Sequence, residues 1–236
     1  VEPLINSKTK ILVIINPCNP TGAVTPYDQI LKLADLAIKH DLIVISDEIY
    51  SRLTFRNHKV QPVAALPGMF ERTITLNGFS KSYAMTGWRI GYATGPEEII
   101  AGMTKLHQYT MMSAPTVAQY AAKEALVNGE NSLKEMLDAY SMRRRLLVNG
   151  LNNIGLDCVE PDGAFYAFPS IKSTGLSSES FAEKLLMEEQ VAVVPGNVFG
   201  PSGEGFIRCC YAASVEDIKE AIFRIGRFVE KETNNS

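Results

Sequence analysis

The stretch ILVIINPCNPTGAVTPYDQILKLADLAIKHDLIVISDEIY, residues 11–50, decides the fold class. Ile11 to Ile15 is a short, continuously apolar run closed by the turn sequence NPCNPTG, which is typical of a strand buried on both faces. Thr25 as N-cap, Pro26 at the first helical position and apolar residues at helical spacing then predict a helix. A second apolar run, Leu42 to Ile45, predicts another strand. Strand, helix and strand in this order form a βαβ unit, which builds a parallel sheet with helices on both faces.

The rest of the chain continues the alternation of strands and helices. A third strand is predicted at 73–76 and a fourth at 90–93. From Pro115 the pattern becomes helical, and a long helix is predicted from Ser132 to about Leu151. The remaining predicted elements are short strands at 157–159, 164–168, 191–194 and 206–210, and helices at about 178–189 and 215–230, the last capped by Ser214. Together they predict an α/β protein in which a smaller α/β domain follows the main sheet.

Composition and charge narrow the function classes. With 46% hydrophobic and 21% charged residues among 236, the chain has the composition of a soluble globular protein. The net charge is -3 and the basic residues are dispersed, the only tight cluster being Arg143 to Arg145 within a helical pattern, so no nucleic-acid partner is expected. No apolar run approaches the roughly 20 residues that a membrane helix needs, so no membrane partner is expected.

The cysteines indicate a reducing compartment. Cys18, Cys158, Cys209 and Cys210 lack the spacing of a metal site, and adjacent cysteines such as the last two rarely bridge each other. We therefore expect reduced thiols, a cytoplasmic protein and no bound metal.

Polar side chains gather where the predicted strands end. Asn19 follows the first strand, Asp47 and Tyr50 follow the second, and Lys81 follows the third. In open α/β sheets, ligands bind beyond the carboxyl ends of the strands, so these side chains are expected to converge on one crevice. Arg89, which lies eight residues after Lys81, joins them as a candidate.

Each candidate also has an ordinary structural explanation. Asn19 suits a turn, Asp47 a helix cap and Tyr50 the edge of a core. Lys81 is explained equally by a solvated surface position, and Arg89 by a surface ion pair. A lysine, an aspartate and an arginine at a sheet edge are nevertheless the parts that a pyridoxal phosphate site needs, because they supply the covalent anchor, the partner of the pyridine nitrogen and the phosphate ligand.

A longer motif makes this chemistry specific. GFSKSYAMTGWRIG, residues 78–91, resembles the lysine-attachment signature of the class I aminotransferases, which use pyridoxal phosphate. Other stretches look like further landmarks of that family, in the right order: NPTG at 19–22, SDEIY at 46–50, GAFY at 163–166 and FIRCCYAAS at 206–214. The resemblance covers essentially the whole chain.

The resemblance assigns roles to the cofactor-binding candidates. Lys81 matches the lysine that binds the cofactor covalently and moves the substrate proton, and Asp47 matches the partner of the pyridine nitrogen. Asn19 and Tyr50 resemble the pair that hydrogen-bonds the O3′ oxygen of the cofactor ring. Arg89 resembles the phosphate ligand, a role that suits a guanidinium because it can hold a phosphate bidentately.

Two further residues follow from the same comparison. The family often has a phosphate-binding serine three residues before the lysine, where this chain has Gly78, so Ser80 beside the lysine becomes the candidate. Arg208 resembles the arginine that binds the α-carboxylate of the substrate, although an ordinary salt bridge at a strand end explains it too.

The resemblance also implies how the fold is organised. Members of the family carry a long portion before the NPTG strand, which binds phosphate, stacks on the pyridine ring and contacts the substrate side chain. This chain is therefore expected to be the C-terminal part of such an enzyme. Residues 1–130 would form the remainder of the large cofactor-binding domain, and residues 131–236 the interdomain helix and small domain. By itself, such a chain is expected to bind the cofactor poorly and to turn over little substrate.

The implied reaction is a ping-pong exchange of an amino group between an L-amino acid and a 2-oxo acid. Aspartate- or glutamate-like acids and N-acetyl-diaminopimelate are the candidate donors. The last is included because 105–122, 163–186 and 191–209 look most like bacterial enzymes assigned to N-acetyl-diaminopimelate transamination. A homodimer with sites at the subunit interface is implied as well. Two other functions stay open: a carbon-sulfur β-lyase on the same fold, and a non-catalytic regulatory domain related to aminotransferases.

Overall fold

The computed structural model describes residues 1–234 and divides into two compact units. The first contains Val1–Cys18 and Val24–Glu135. The second contains Asn19–Ala23 together with the chain from Met136 onward. The short segment Asn19–Ala23, which the sequence places beside the first strand, thus groups with the C-terminal part of the chain.

The first unit is built on a four-stranded sheet in the order β1-β2-β3-β4. Its strands are β1 (Ile11–Ile15), β2 (Ile43–Asp47), β3 (Thr73–Gly78) and β4 (Gly91–Thr94). β1, β2 and β3 are parallel, and β4 runs antiparallel to β3. Helix α1 (Tyr27–Lys39) connects β1 to β2 and completes the predicted βαβ unit. It begins at Tyr27 after Pro26, without a side-chain cap, so the predicted Thr25 cap is wrong.

The core of this unit lies between α1 and the sheet. Ile30, Ala34 and Ala37 form the buried face of the helix. They pack in one cluster with Ile14 of β1 and Val44 of β2. Burying an aliphatic side chain of this size fully is worth about 1.5–3 kcal/mol before entropy costs, so the apolar face of α1 fixes the helix on the sheet.

The predicted two-sided burial of β1 is wrong. Ile14 is buried, but Ile11, Val13 and Ile15 on the other face are 51%, 57% and 41% exposed. β1 is the outer strand of the sheet, and within residues 1–234 no element covers that face. An apolar run indicates that both faces of a strand can be buried. It does not indicate which parts of the protein cover those faces.

Three helices follow the sheet: α2 (Glu97–Thr110), α3 (Thr116–Asn128) and α4 (Glu130–Asn153). α2 has no buried residue, whereas α3 buries Ala118 and Ala122. The boundary between the two units falls within α4, between Glu135 and Met136. In the described part of the chain, no helix is both long and apolar enough to cross a membrane.

The second unit has a small antiparallel sheet with β7 in the centre. Its elements are β5 (Tyr166–Ala167), α5 (Ser178–Glu189), β6 (Val194–Pro195), β7 (Ile207–Cys210) and α6 (Val215–Asn234). α5 packs on α6 through Phe181 and Phe228, whose rings meet edge to face at 5.1 Å. The amide of Asp217 donates to Ser214 Oγ at 3.0 Å, which confirms the predicted cap of α6.

Three predicted strands of this unit are wrong or shortened. Residues 157–159 are not a strand, 164–168 is reduced to the two residues of β5, and 191–194 contributes only its last residue to β6. Cys158 is instead tied to the end of α4, because its amide donates to Asn152 Oδ1 at 2.9 Å. The side-chain oxygen of Asn152 thus accepts the hydrogen bond that a neighbouring strand would otherwise accept.

Candidate active site

The carboxyl ends of β1, β2 and β3 meet at one edge of the first sheet, because these strands are parallel. Asp47, the last residue of β2, is in register with Ile15 of β1 and Leu76 of β3. β4 runs the other way and pairs its first residue, Gly91, with Gly78 at the end of β3. The turns that carry Lys81 and Arg89 therefore leave and enter the sheet at the same edge as Asp47.

The carboxylate of Asp47 is oriented by the turn that follows β2. One oxygen, Oδ1, accepts a hydrogen bond from the amide of Ile49 at 3.1 Å. Among residues 1–234 the second oxygen takes part in no further hydrogen bond, so it is available to a donor such as a protonated ring nitrogen. Tyr50 lies in the same turn with its side chain 4% exposed.

Lys81 and Ser80 lie on the turn after β3, and both are half-buried. Buried Phe79 and Met85 flank this turn and pack together with Ala122 of α3. The carbonyl of Phe79 accepts hydrogen bonds from the amides of two later turn residues, Tyr83 at 3.2 Å and Met85 at 3.3 Å. The lysine is thus carried by a turn that is fixed by apolar side chains and by its own backbone.

Arg89 closes the same turn in an uncommon backbone conformation. Its φ is 51°, in the left-handed region, and that of Ala84 is 52°. Such a conformation costs about 1–2 kcal/mol for a residue with a Cβ, and such residues cluster at functional sites. The side chain is exposed, and its Nη1 donates to the carbonyl of Thr86 at 2.8 Å.

The two glycines that bound the motif are explained by the close approach of β3 and β4. A Cβ on Gly91 would lie 3.0 Å from the carbonyl oxygen of Asn77. A Cβ on Gly78 would lie 3.0 Å from the Cα of Gly91. At Gly78, where the family often has a serine, a Cβ would require the facing backbone of β4 to shift by a few tenths of an ångström.

Glu48, next to Asp47, is a residue that the sequence did not single out. It is 5% exposed, and its Oε1 accepts from Ser46 Oγ at 2.9 Å and from the amide of Val63 at 3.3 Å. Burial raises the pKa of this carboxyl above its ordinary value, and the negative charge of Asp47 adds to that rise, while both hydrogen bonds oppose it. Glu48 ties the loop that ends at Val63 to the strand end that carries Asp47.

In the second unit, the structure brings Asn19 and Arg208 together. Arg208 lies in β7, and its Nη1 donates to Asn19 Oδ1 at 2.9 Å. Two aromatic rings contact the same guanidinium, with its Cζ 4.4 Å from the ring centre of Tyr166 and 5.1 Å from that of Phe199. Neither the amide oxygen nor the aromatic rings carry a negative charge, so these contacts do not neutralise the guanidinium, and an anionic ligand can pair with it.

Gly22 explains how Asn19 reaches this arginine. The carbonyl of Gly22 accepts from the amides of Asp162 at 3.0 Å and Gly163 at 2.8 Å. A Cβ on Gly22 would lie 2.4 Å from that of Pro161, and its φ of +69° is in the left-handed region. Only glycine combines this conformation with this close approach. The NPTG turn therefore docks on the segment that leads into β5, and Asn19 is carried with it.

Each unit thus supplies part of the predicted set. The first contributes Asp47, Tyr50, Ser80, Lys81 and Arg89, and the second contributes Asn19 and Arg208. The first group fits pyridoxal phosphate by its chemistry, since it offers an amine, a carboxylate with an available oxygen, hydroxyls and a guanidinium. Over residues 1–234 no cluster of His, Cys, Asp or Glu is arranged to hold a metal ion.

Comparison with known proteins agrees with this chemistry. The family model for aminotransferase class I and II matches residues 1–225. The YugH protein of Bacillus subtilis is 54% identical over 98% of this chain, and the aspartate aminotransferase of Pyrococcus abyssi is 47% identical over 98%. The crystal structure of an aromatic aminotransferase from Pyrococcus horikoshii superposes on 98% of this chain with a TM-score of 0.95 at 45% identity, and 62% of that chain is covered.

These matches cover nearly all of this chain but only part of its relatives. The chain spans about 60% of the length of the curated relatives it matches. Enzymes of the matching family use pyridoxal phosphate. The match nevertheless runs almost from end to end of these 236 residues and includes the lysine motif, the NPTG turn and the arginine of β7. The chain belongs to the class I and II aminotransferases.

Proposed function

We propose that the protein containing this chain is a pyridoxal phosphate-dependent aminotransferase. The observation that carries the proposal is the arrangement at the carboxyl edge of the first sheet, where the turn bearing Lys81 follows β3 and the neighbouring strand β2 ends in Asp47. When bound, the cofactor supplies an electron sink that makes the α-hydrogen of an amino acid acidic. The remaining tasks, which are binding, orientation and proton transfer, fall to the residues of the protein.

Lys81 is proposed to attach the cofactor covalently and to move the proton. Its turn is fixed by Phe79 and Met85, so the backbone that carries the lysine is held at the end of β3. With the cofactor and an amino acid bound, the amine of Lys81 would move a proton between the substrate α-carbon and the cofactor atom C4′. A base that is positioned in this way contributes about 10²–10⁴-fold to the rate.

Asp47 and Arg89 are proposed to orient the cofactor from two sides. The available oxygen of Asp47 would accept a hydrogen bond from the protonated pyridine nitrogen and stabilise its positive charge. The guanidinium of Arg89 would bind the phosphate, with the hydroxyl of Ser80 as a further donor. Tyr50 and Asn19 are proposed to hydrogen-bond the ring oxygen O3′.

Arg208 is proposed to bind the α-carboxylate of the amino acid and of the 2-oxo acid. One of its five N–H groups donates to Asn19, and in the described residues no carboxylate forms an ion pair with it. Because amino donor and 2-oxo acceptor share this carboxylate, one arginine can serve both halves of a ping-pong exchange.

The proposed donors are aspartate- or glutamate-like acids, with N-acetyl-diaminopimelate as the alternative class. A cytoplasmic homodimer is the proposed assembly.

A donor panel tests the proposal. A protein that carries this chain within the full length of its relatives is incubated with 2-oxoglutarate and each of aspartate, phenylalanine and N-acetyl-LL-diaminopimelate, and glutamate formation is measured. We expect glutamate with at least one donor. Release of pyruvate and a thiol from cystathionine, with no glutamate from any donor, would instead identify a β-lyase.

A further inference from the structure

Two aromatic side chains in the second unit are placed to hold Arg208. Tyr166 lies in β5, which pairs directly with β7, and its ring centre is 4.4 Å from the guanidinium carbon of Arg208. Phe199 comes from the loop after β6, and its ring centre is 5.1 Å from the same atom. Both distances are within the roughly 6 Å at which a ring face attracts a cation.

The loop that carries Phe199 is fixed by its backbone. A Cβ on Gly196 would lie 2.1 Å from the carbonyl oxygen of Gly203, and a Cβ on Gly203 would lie 2.0 Å from that of Gly196, so the two ends of the loop touch. The amide of Gly196 also donates to the carbonyl of Phe206 at 2.8 Å. A loop closed in this way holds Phe199 in one place although its side chain is 39% exposed.

Further rings support Phe199 from behind. It meets Phe168 edge to face at 6.2 Å, and Phe168 stacks on Phe206 at 5.3 Å with the two ring planes 4° apart. Phe206 directly precedes β7, the strand of Arg208. The ring of Phe199 is therefore connected, through Phe168 and Phe206, to the strand that carries Arg208.

We propose that Tyr166 and Phe199 are positioning residues that hold the guanidinium of Arg208 ready for a substrate carboxylate. A carboxylate partner would hold the arginine equally well but would neutralise its charge and occupy its N–H groups. Aromatic faces attract the cation without accepting its in-plane N–H donors, so those donors stay available to a ligand. This inference rests on the proposed carboxylate-binding role of Arg208.

Substitution of Phe199 by leucine gives the principal test, because this ring is partly exposed and its loss opens no buried cavity. In the protein of the relatives' length, we expect Phe199→Leu to raise KM for amino donor and 2-oxo acid about three- to tenfold, with kcat changed less than about twofold. Phe199→Tyr keeps the ring face and is expected to restore KM. Tyr166→Phe is expected to behave like wild type for the same reason, and Tyr166→Leu like Phe199→Leu.

Phe223→Leu is the matched control. Phe223 is also a partly exposed phenylalanine of the second unit, and its ring lies 5.8 Å from the guanidinium carbon of another arginine, Arg227. This variant loses a contact of the same kind but is expected to leave KM unchanged. Binding of 2-oxoglutarate, followed by isothermal titration calorimetry, gives a readout that does not depend on turnover and is expected to weaken in parallel with KM.

Arg208→Lys separates this inference from the proposed function. An increase in KM of about a hundredfold in this variant supports carboxylate binding by Arg208. If Phe199→Leu then keeps both KM and 2-oxoglutarate affinity within twofold of wild type while remaining folded, the positioning role is wrong and the function stands. An unchanged KM in Arg208→Lys would instead overturn the carboxylate role itself.

Discussion

At the scale of single residues, glycine and buried carboxylate positions control where the candidate site residues lie. Gly22 joins the NPTG turn to the segment before β5 through two hydrogen bonds from Asp162 and Gly163. That contact determines which unit Asn19 belongs to. Glu48 has a comparable effect in the first unit, where it fixes the loop after β2 behind Asp47.

Replacing Gly22 by alanine is expected to destabilise the protein. The new Cβ would lie 2.4 Å from Pro161 Cβ at a φ of +69°, so both steric overlap and left-handed backbone strain oppose it. We expect the free energy of unfolding to fall by at least about 2 kcal/mol, as measured by urea denaturation.

Gly102→Ala provides the control for that measurement. Gly102 lies inside α2, and no atom lies near the position of its added Cβ. Alanine is favoured over glycine inside a helix by about 0.5–1 kcal/mol, so this variant should be slightly more stable than wild type. Equal stability of the two variants would contradict the account of Gly22.

The Glu48→Gln variant is expected to change how stability depends on pH. Burial raises the pKa of Glu48 above 4.5 in the folded protein, so the folded state retains the proton longer than the unfolded state. The unfolding free energy contributed by this group is therefore greatest below pH 4.5 and decreases as pH rises through the raised pKa. Glutamine keeps an oxygen for Ser46 and Val63 and carries no charge, so it lacks this decrease.

Denaturation of both proteins between pH 4 and pH 8 measures the effect. We expect the stability of Glu48→Gln relative to wild type to increase with pH over the window that begins near pH 4.5. A difference that stays constant with pH, or that decreases, would show that the carboxyl is not held in its neutral form.

At the scale of elements, sequence patterns predicted those strands and helices whose burial is decided by near neighbours. β2 was predicted from an apolar run, and α6 with Ser214 as its cap. The strand predicted at 157–159 does not form, because the amide of Cys158 donates to the side chain of Asn152. No pattern in the sequence predicts that hydrogen bond. The open face of β1 was missed because an apolar run carries no information about what covers it.

Strand β7 gives a prediction at this scale. Cys209 and Cys210 are neighbours, and the alternation of the strand buries the first and exposes the second. Burial raises the pKa of the Cys209 thiol to about 12, and that of the Cys158 thiol to about 11, from an ordinary 9.0. The thiolate is the reactive form, so both buried thiols should be unreactive near neutral pH.

Ellman's reagent at pH 8 measures this difference. Cys210 should react within the native protein, with half-buried Cys18 slower, whereas Cys158 and Cys209 should react only on unfolding. Cys210→Ser is expected to remove the fast phase and leave the slow thiols unchanged. Equal rates for all four thiols in the native protein would contradict the burial of β7.

At the scale of the whole molecule, the candidate site residues are divided between the two units. Lys81, Asp47 and Arg89 carry side-chain chemistry that a motif preserves, so the sequence indicates them. The assignment of Asn19 to the second unit depends on Gly22 meeting Pro161, which is far away in the sequence. The contacts of Tyr166 and Phe199 with Arg208 were not predicted, although Tyr166 lies in the GAFY stretch, because an aromatic residue type does not reveal which cation its ring contacts.

The visible absorption spectrum of the pyridoxal phosphate-loaded protein, at the full length of its relatives, tests whether Lys81 is the anchor. The wild-type protein should show the absorption band of the lysine-bound cofactor, and so should the control Lys105→Ala, which changes an exposed lysine of α2. Lys81→Ala should lose this band and all transaminase activity. Survival of the band in Lys81→Ala would contradict the assignment of Lys81 and the function proposed from it.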